Sequence, residues 1–71
     1  MPKKWTIGLA DGGRLFLAIA TYIIGIDAWS VVLSIDGEHQ QAVLTEDPCM
    51  VALQLIADAQ LDTAVDLVVQ E

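Results

Sequence analysis

Three turn signals and one helix start predict an α+β fold, a four-stranded antiparallel meander with one helix packed on one face and a C-terminal strand, in the order ββββαβ. The turns are Asp11-Gly12-Gly13-Arg14, Gly25-Ile26-Asp27 and Asp36-Gly37, and they divide an apolar stretch running from Trp5 to Leu44. The helix start is Thr45-Glu46-Asp47-Pro48.

Asp36-Gly37 is the clearest hairpin signal, because a type I′ turn needs φ > 0 at both central residues. A two-residue loop there pairs Ile35 with Glu38, Leu33 with Gln40, Val31 with Ala42 and Trp29 with Leu44. With Ile26 and Asp27 at the preceding tip, Ile24 faces Trp29, Tyr22 faces Val31, Ala20 faces Leu33 and Ala18 faces Ile35. With Gly12-Gly13 at the first tip, Leu9 faces Phe16, Ile7 faces Ala18 and Trp5 faces Ala20.

Strand side chains alternate between faces, and a one-residue slip exchanges them. The three registers agree on one division. Trp5, Ile7, Leu9, Phe16, Ala18, Ala20, Tyr22, Ile24, Trp29, Val31, Leu33, Ile35, Ala42 and Leu44 share one face. Lys4, Thr6, Gly8, Ala10, Thr21, Ser30, Ser34, Asp36, His39 and Gln41 share the other, together with an apolar stripe of Leu15, Leu17, Ile19, Ile23, Val32 and Val43. One helix covers only one face. The stripe is therefore expected to be covered by the tail, or to serve self-association or a partner, with stacking into a homodimer the favoured outcome.

For the helix, Asp47 suits the N-cap and Pro48 the first helical position. Val51, Leu55 and Ala59 repeat every four residues, broadened by Met50, Leu53, Ile56 and Ala57, and this stripe is expected to cover the tryptophan face. The tail from Leu61 reads two ways. As a strand, Leu61, Thr63, Val65, Leu67 and Val69 face one side; as a helix, Gln54, Asp58, Asp62, Asp66 and Gln70 form a polar stripe. Its β-branched content and the cost of stacking aspartates at i,i+4 favour the strand.

The chain is read as a single small domain spanning its 71 residues, of which 55% are hydrophobic. One cysteine, Cys49, rules out an intrachain disulfide and a cysteine-based zinc cluster. Met-Pro-Lys-Lys-Trp does not open a signal peptide, and a cytoplasmic location is expected. Leu15 to Ile35 is long enough for a single membrane span. Asp27 at mid-bilayer would cost about 2.5–3.5 kcal/mol, however, and Trp29, Val31, Leu33 and Ile35 alternate with a strand's period.

Charge is the most unusual feature. Lys3, Lys4 and Arg14 are the only Lys and Arg residues; against Asp11 they leave residues 1–14 at +2. The rest of the chain carries nine carboxylates and no Lys or Arg, giving −7 in total. Direct nucleic-acid binding is disfavoured, since phosphate contacts need clustered Lys and Arg. An acidic surface serves solubility, or it binds a basic partner through field complementarity. The residues expected to form such a partner surface are Asp36, Glu38, Glu46, Asp47, Asp58, Asp62 and Asp66. In a helix, Asp58, Asp62 and Asp66 would recur about every 6 Å, a phosphate-like spacing. In size and charge the chain resembles phage-encoded inhibitors, including anti-CRISPR and other DNA-mimic proteins. That resemblance implies competition for a basic, nucleic-acid-binding groove.

No catalytic, metal or cofactor motif is present. Cys49 at the second helical position and His39 ten residues earlier are imaginable as a nucleophile and base, but Glu46 and Asp47 oppose thiolate formation. Asp36-Gly37-Glu38 and Glu46-Asp47 fall short of a calcium loop, and Asp11-Gly12-Gly13 lacks the helix and Lys-Ser/Thr ending of a phosphate loop. The expected function is a non-enzymatic acidic binding or inhibitory module, with no cofactor. A structural or assembly subunit working through the apolar face is the alternative, and a single-span membrane peptide the third.

Overall fold

The computed structural model describes residues 3–69, with side chains described as far as Leu61. Four strands, β1 (Lys4–Asp11), β2 (Arg14–Ile23), β3 (Ala28–Ile35) and β4 (Glu38–Thr45), form one antiparallel sheet in the order β1-β2-β3-β4. A single helix, α1 (Pro48–Val69), packs on one face. The α+β meander follows the predicted order as far as the helix.

The β1–β2 register is the predicted one, with Trp5 opposite Ala20, Ile7 opposite Ala18 and Leu9 opposite Phe16. Gly12 and Gly13 take φ of 60° and 78°, the left-handed pair that a two-residue turn of this twist requires. Asp36 and Gly37 do the same, at 53° and 87°.

The β2–β3 register differs from the expected one by two residues. Tyr22 faces Trp29, Ala20 faces Val31, Ala18 faces Leu33 and Phe16 faces Ile35. Ile24–Ile26 leaves the sheet as one 3₁₀ turn, closed by Asp27 in the left-handed region, whose N–H donates to the Ile24 carbonyl at 3.3 Å. The Tyr22 hydroxyl donates to the Asp27 carboxylate and braces the same turn. Two residues is a full side-chain period, so the faces survive the slip. Ile24 instead projects into solvent, 71% exposed.

A bulge changes the faces of β4. Ser34 faces His39 while Leu33 faces Gln41, which leaves Gln40 as the extra residue. Beyond it Val43 pairs with Val31 and packs against the core, and Thr45 pairs with Trp29. Ala42 and Leu44, expected inside, turn outward, Leu44 being 62% exposed; Gln41, expected outside, turns inward. Val43 therefore does not belong to the apolar stripe. The bulge also brings Thr45 to the helix side, where its Oγ1 accepts the Asp47 N–H at 2.9 Å and leads the chain into α1.

The core lies between α1 and the central strands. Phe16, Ala18, Ala20, Val31 and Leu33 from the sheet meet Ala52, Leu55, Ile56 and Ala59 from the helix, all buried. Four alanines at the contact let the helix approach the sheet closely. Trp5, Tyr22 and Trp29 close the end nearest the β2–β3 turn; Trp29 lies 6.2 Å from Trp5 and 5.5 Å, edge-on, from Tyr22. Asp47 caps α1, its carboxylate accepting the Met50 N–H at 3.4 Å. Met50, Leu53 and Ala57, expected on the covering stripe, face away from the sheet, whereas Ile56 is in the core.

The expected C-terminal strand is not formed, because α1 continues to Val69. Neither Gly nor Pro interrupts the chain after Pro48, and the β-branched residues of the tail cost a helix only a few tenths of a kcal/mol each. Extending an existing helix avoids the nucleation cost that a separate element would incur.

Candidate functional site

The meander places the β1–β2 and β3–β4 turns at one end of the sheet, and α1 runs from the opposite end towards them. Asp36, Glu38 and Asp58, far apart in sequence, therefore border one groove of about 630 Å³ together with Arg14, Gln40 and Gln41. Leu33, Ile35, Leu55 and Ala59 supply its apolar lining. Asp11 stands at the same end, its carboxylate accepting the Gln60 amide at 2.9 Å. Asp36 has a structural duty as well. Its Oδ1 accepts the Leu15 N–H at 2.9 Å and its own N–H donates to the Leu15 carbonyl at 2.9 Å, which ties the β3–β4 turn to the start of β2. Among the described side chains this end carries Asp11, Asp36, Glu38 and Asp58 against Arg14, a balance of −3.

Glu46 and Asp47 lie at the other end of the molecule, beside the end of β4 that pairs with Trp29. Asp27, Lys3 and Lys4 belong to that end too, since the Tyr22 N–H donates to the Lys3 carbonyl at 2.8 Å. Its balance is only −1. The seven expected acidic residues thus do not form one surface. The side chains of Asp62 and Asp66 lie outside the described residues, but their backbone is helical. With Asp58 they occupy successive four-residue positions of α1, rising about 6 Å each. Asp11 and Gln60 were missed by the sequence reading. The signal for Asp11 was the topology itself, because alternate turns of a meander share an end.

The sheet face away from α1 carries Leu15, Leu17, Ile19, Ile23 and Val32 of the expected stripe, with Leu44 in the place of Val43. Leu15 is 45% exposed, and Leu17, Ile19, Ile23 and Val32 are half-buried. Leu17 lies across Gly8, where a Cβ would come within 3.0 Å of its Cδ2. By register the remaining side chains of this face are Lys4, Thr6, Ala10, Thr21, Ala28, Ser30, Ser34, His39 and Ala42. None is a carboxylate. The acids of the strands, Asp11 and Glu38, are both on the helix side.

Cys49 is exposed on the first turn of α1, and His39 lies beside the β3–β4 turn at the opposite end of β4, so the two are not brought together. Among the described residues no three His, Cys, Asp or Glu side chains converge as metal ligands. Tyr22 has its pKa held above the ordinary 10.0, chiefly by its hydrogen bond to Asp27, then by burial and the repulsion that Asp27 would exert on a phenolate. Leu15 to Ile35, considered above as a membrane span, forms β2, the turn and β3. Among the described residues no helix is long and apolar enough to cross a membrane. Compared with protein-family models, curated proteins and solved structures, the chain matches none.

Proposed function

We propose that this chain is a non-enzymatic binding module that presents its acidic pole to a basic, nucleic-acid-binding surface of a partner protein, in the manner of a DNA-mimicking inhibitor. The observation that carries this reading is the sorting of charge along the molecule, −3 around the groove end against −1 at the other. The helical rise of Asp58, Asp62 and Asp66 adds a row of acidic positions leading away from that pole. A concentrated field of one sign steers a basic partner and fixes its orientation.

The test uses a fluorescent Lys/Arg-rich peptide as the basic surface, with anisotropy read against salt and against duplex DNA as competitor. Binding should weaken steeply as salt rises, and the duplex should displace the protein from the peptide. Glu38→Lys with Asp58→Asn should weaken binding about tenfold or more. Glu46→Lys with Asp47→Asn, which alters charge at the other end, should change it less than about threefold. Equal losses from both pairs would mean that net charge alone is felt, and the reading would fail. A second reading, an assembly subunit working through the sheet, is favoured by the apolar outer face and predicts association that salt does not weaken.

A further inference from the structure

We infer that the outer face of the sheet is a self-pairing surface, and that a second copy of this chain covers it, sheet against sheet about a two-fold axis. Three observations converge. The centre of the face is apolar, with Ile19 paired to Val32 and flanked by Leu17, Ile23, Leu15 and Leu44. In a chain of ten carboxylates this face has none. A basic partner would find no charge to recognise there, whereas two copies, each at −7, meet here without bringing an acid against an acid. Among the described residues the carboxylates stay on the helix side and at the ends of the sheet.

The area reaches the lower bound of about 1,000 Å² in total for a specific interface. Four strands about 4.8 Å apart and eight residues long at about 3.3 Å give a projected face of roughly 500 Å². Protruding side chains add to that projection, towards the ~800 Å² per partner of a standard stable interface. Stacked sheets lie about 10 Å apart with strands within ~30° of parallel. In an isologous contact the Ile19/Val32 centre then meets its own copy. The back of α1 is a poorer candidate, because its exposed Met50, Leu53 and Leu61 are interleaved with Asp58 on the same exposed side of the helix.

The pairing does not depend on the acidic-pole reading, since peptide binding at the pole and self-association through the sheet respond to different substitutions. The experiment is light scattering on the full chain after size exclusion, across protein concentration and at low and high salt. The expected result is a species of twice 7.7 kDa that persists or tightens as salt screens the repulsion between copies. Ile19→Lys should raise the dimer dissociation constant about 100-fold or more, by burying an unpaired charge. Leu44→Lys, at a position already 62% exposed, should weaken it without threatening the fold. Leu53→Lys on the back of α1 should leave it within about threefold. Trp5 and Trp29 lie on the other face, so unchanged tryptophan emission would report an intact fold in each variant. A monomer at every concentration, a dimer broken by Leu53→Lys but not by the sheet variants, or an open ladder of larger species would each overturn the proposal.

Discussion

Tyr22 and Asp27 show how a single side chain fixes a turn. Asp27 sits at φ 50°, a left-handed conformation that Asn and Asp tolerate better than most residues, and its carboxylate receives the Tyr22 hydroxyl. Because Tyr22 is the only tyrosine, its titration is read directly from phenolate absorbance. Its folded pKa is raised, so the bond contributes stability fully below the unfolded value near 10, and that contribution is lost as pH climbs through the folded value. Asp27→Asn keeps an acceptor and the left-handed backbone but removes the negative charge. The titration midpoint should therefore fall towards 10, and the part of the alkaline stability loss linked to Tyr22 should shrink as the folded and unfolded values converge. A midpoint unmoved by the substitution would show that Asp27 is not what holds the proton.

Among elements, β4 shows how one extra residue decides which side chains enter the core. With Gln40 looped out, Asp36-Gly37 keeps its two-residue turn while Val43 and Thr45 reach the helix side. Deleting Gln40 would leave every observed pairing in place and convert the strand to a regular ladder. We expect that deletion to lower stability by less than about 1 kcal/mol in urea unfolding, as for a change that removes no buried contact. Inserting an alanine after Gln41 should cost several-fold more, because it would turn Val43 outward. If the two changes cost the same, the faces assigned to β4 are wrong. α1 teaches a related lesson about length. Among its described side chains the last buried one is Ala59, and Gln60 makes its bond to Asp11 at the tip of the first hairpin. The helix continues to Val69 with nothing in its sequence to stop it.

At the scale of the whole molecule, an acidic pole, a nearly balanced opposite end and an acid-free sheet face divide the surface into three regions of different chemistry. Crowding carboxylates at one end stores repulsion that salt relieves, since the screening length falls from about 30 Å at 0.01 M to about 8 Å at 0.15 M. Thermal unfolding at fixed protein concentration should rise by several degrees over that range, as a gain of order 1 kcal/mol does in a domain of this size. Glu38→Lys should reduce the salt effect more than Glu46→Lys, because Glu38 belongs to the crowded end. An identical salt response in the two variants would mean that the charges act as a diffuse total.

The strands, their antiparallel order, the turn residues and the helix start were legible in the sequence, because each rests on chemistry local to a few residues. Asp36-Gly37 and Gly12-Gly13 can adopt φ values that most residues resist, Asp47 and Pro48 suit a helix N-terminus, and alternation sorts Phe16, Ala18 and Ala20 from Leu17 and Ile19. The acids of the candidate site were legible as residues but not as a place. The meander sets Asp11, Asp36 and Glu38 at one end of the sheet, and the packing of α1 adds Asp58 there, through a contact that spans 49 positions in the case of Asp11 and Gln60. The same distinction explains the two registers that differed. A two-residue slip at Ile24–Asp27 and a bulge at Gln40 are nearly neutral in local propensity. The bulge follows the side chains of β4 that the helix must cover, and the slip goes with the turn that Asp27 closes and Tyr22 braces, contacts that exist only in the assembled structure.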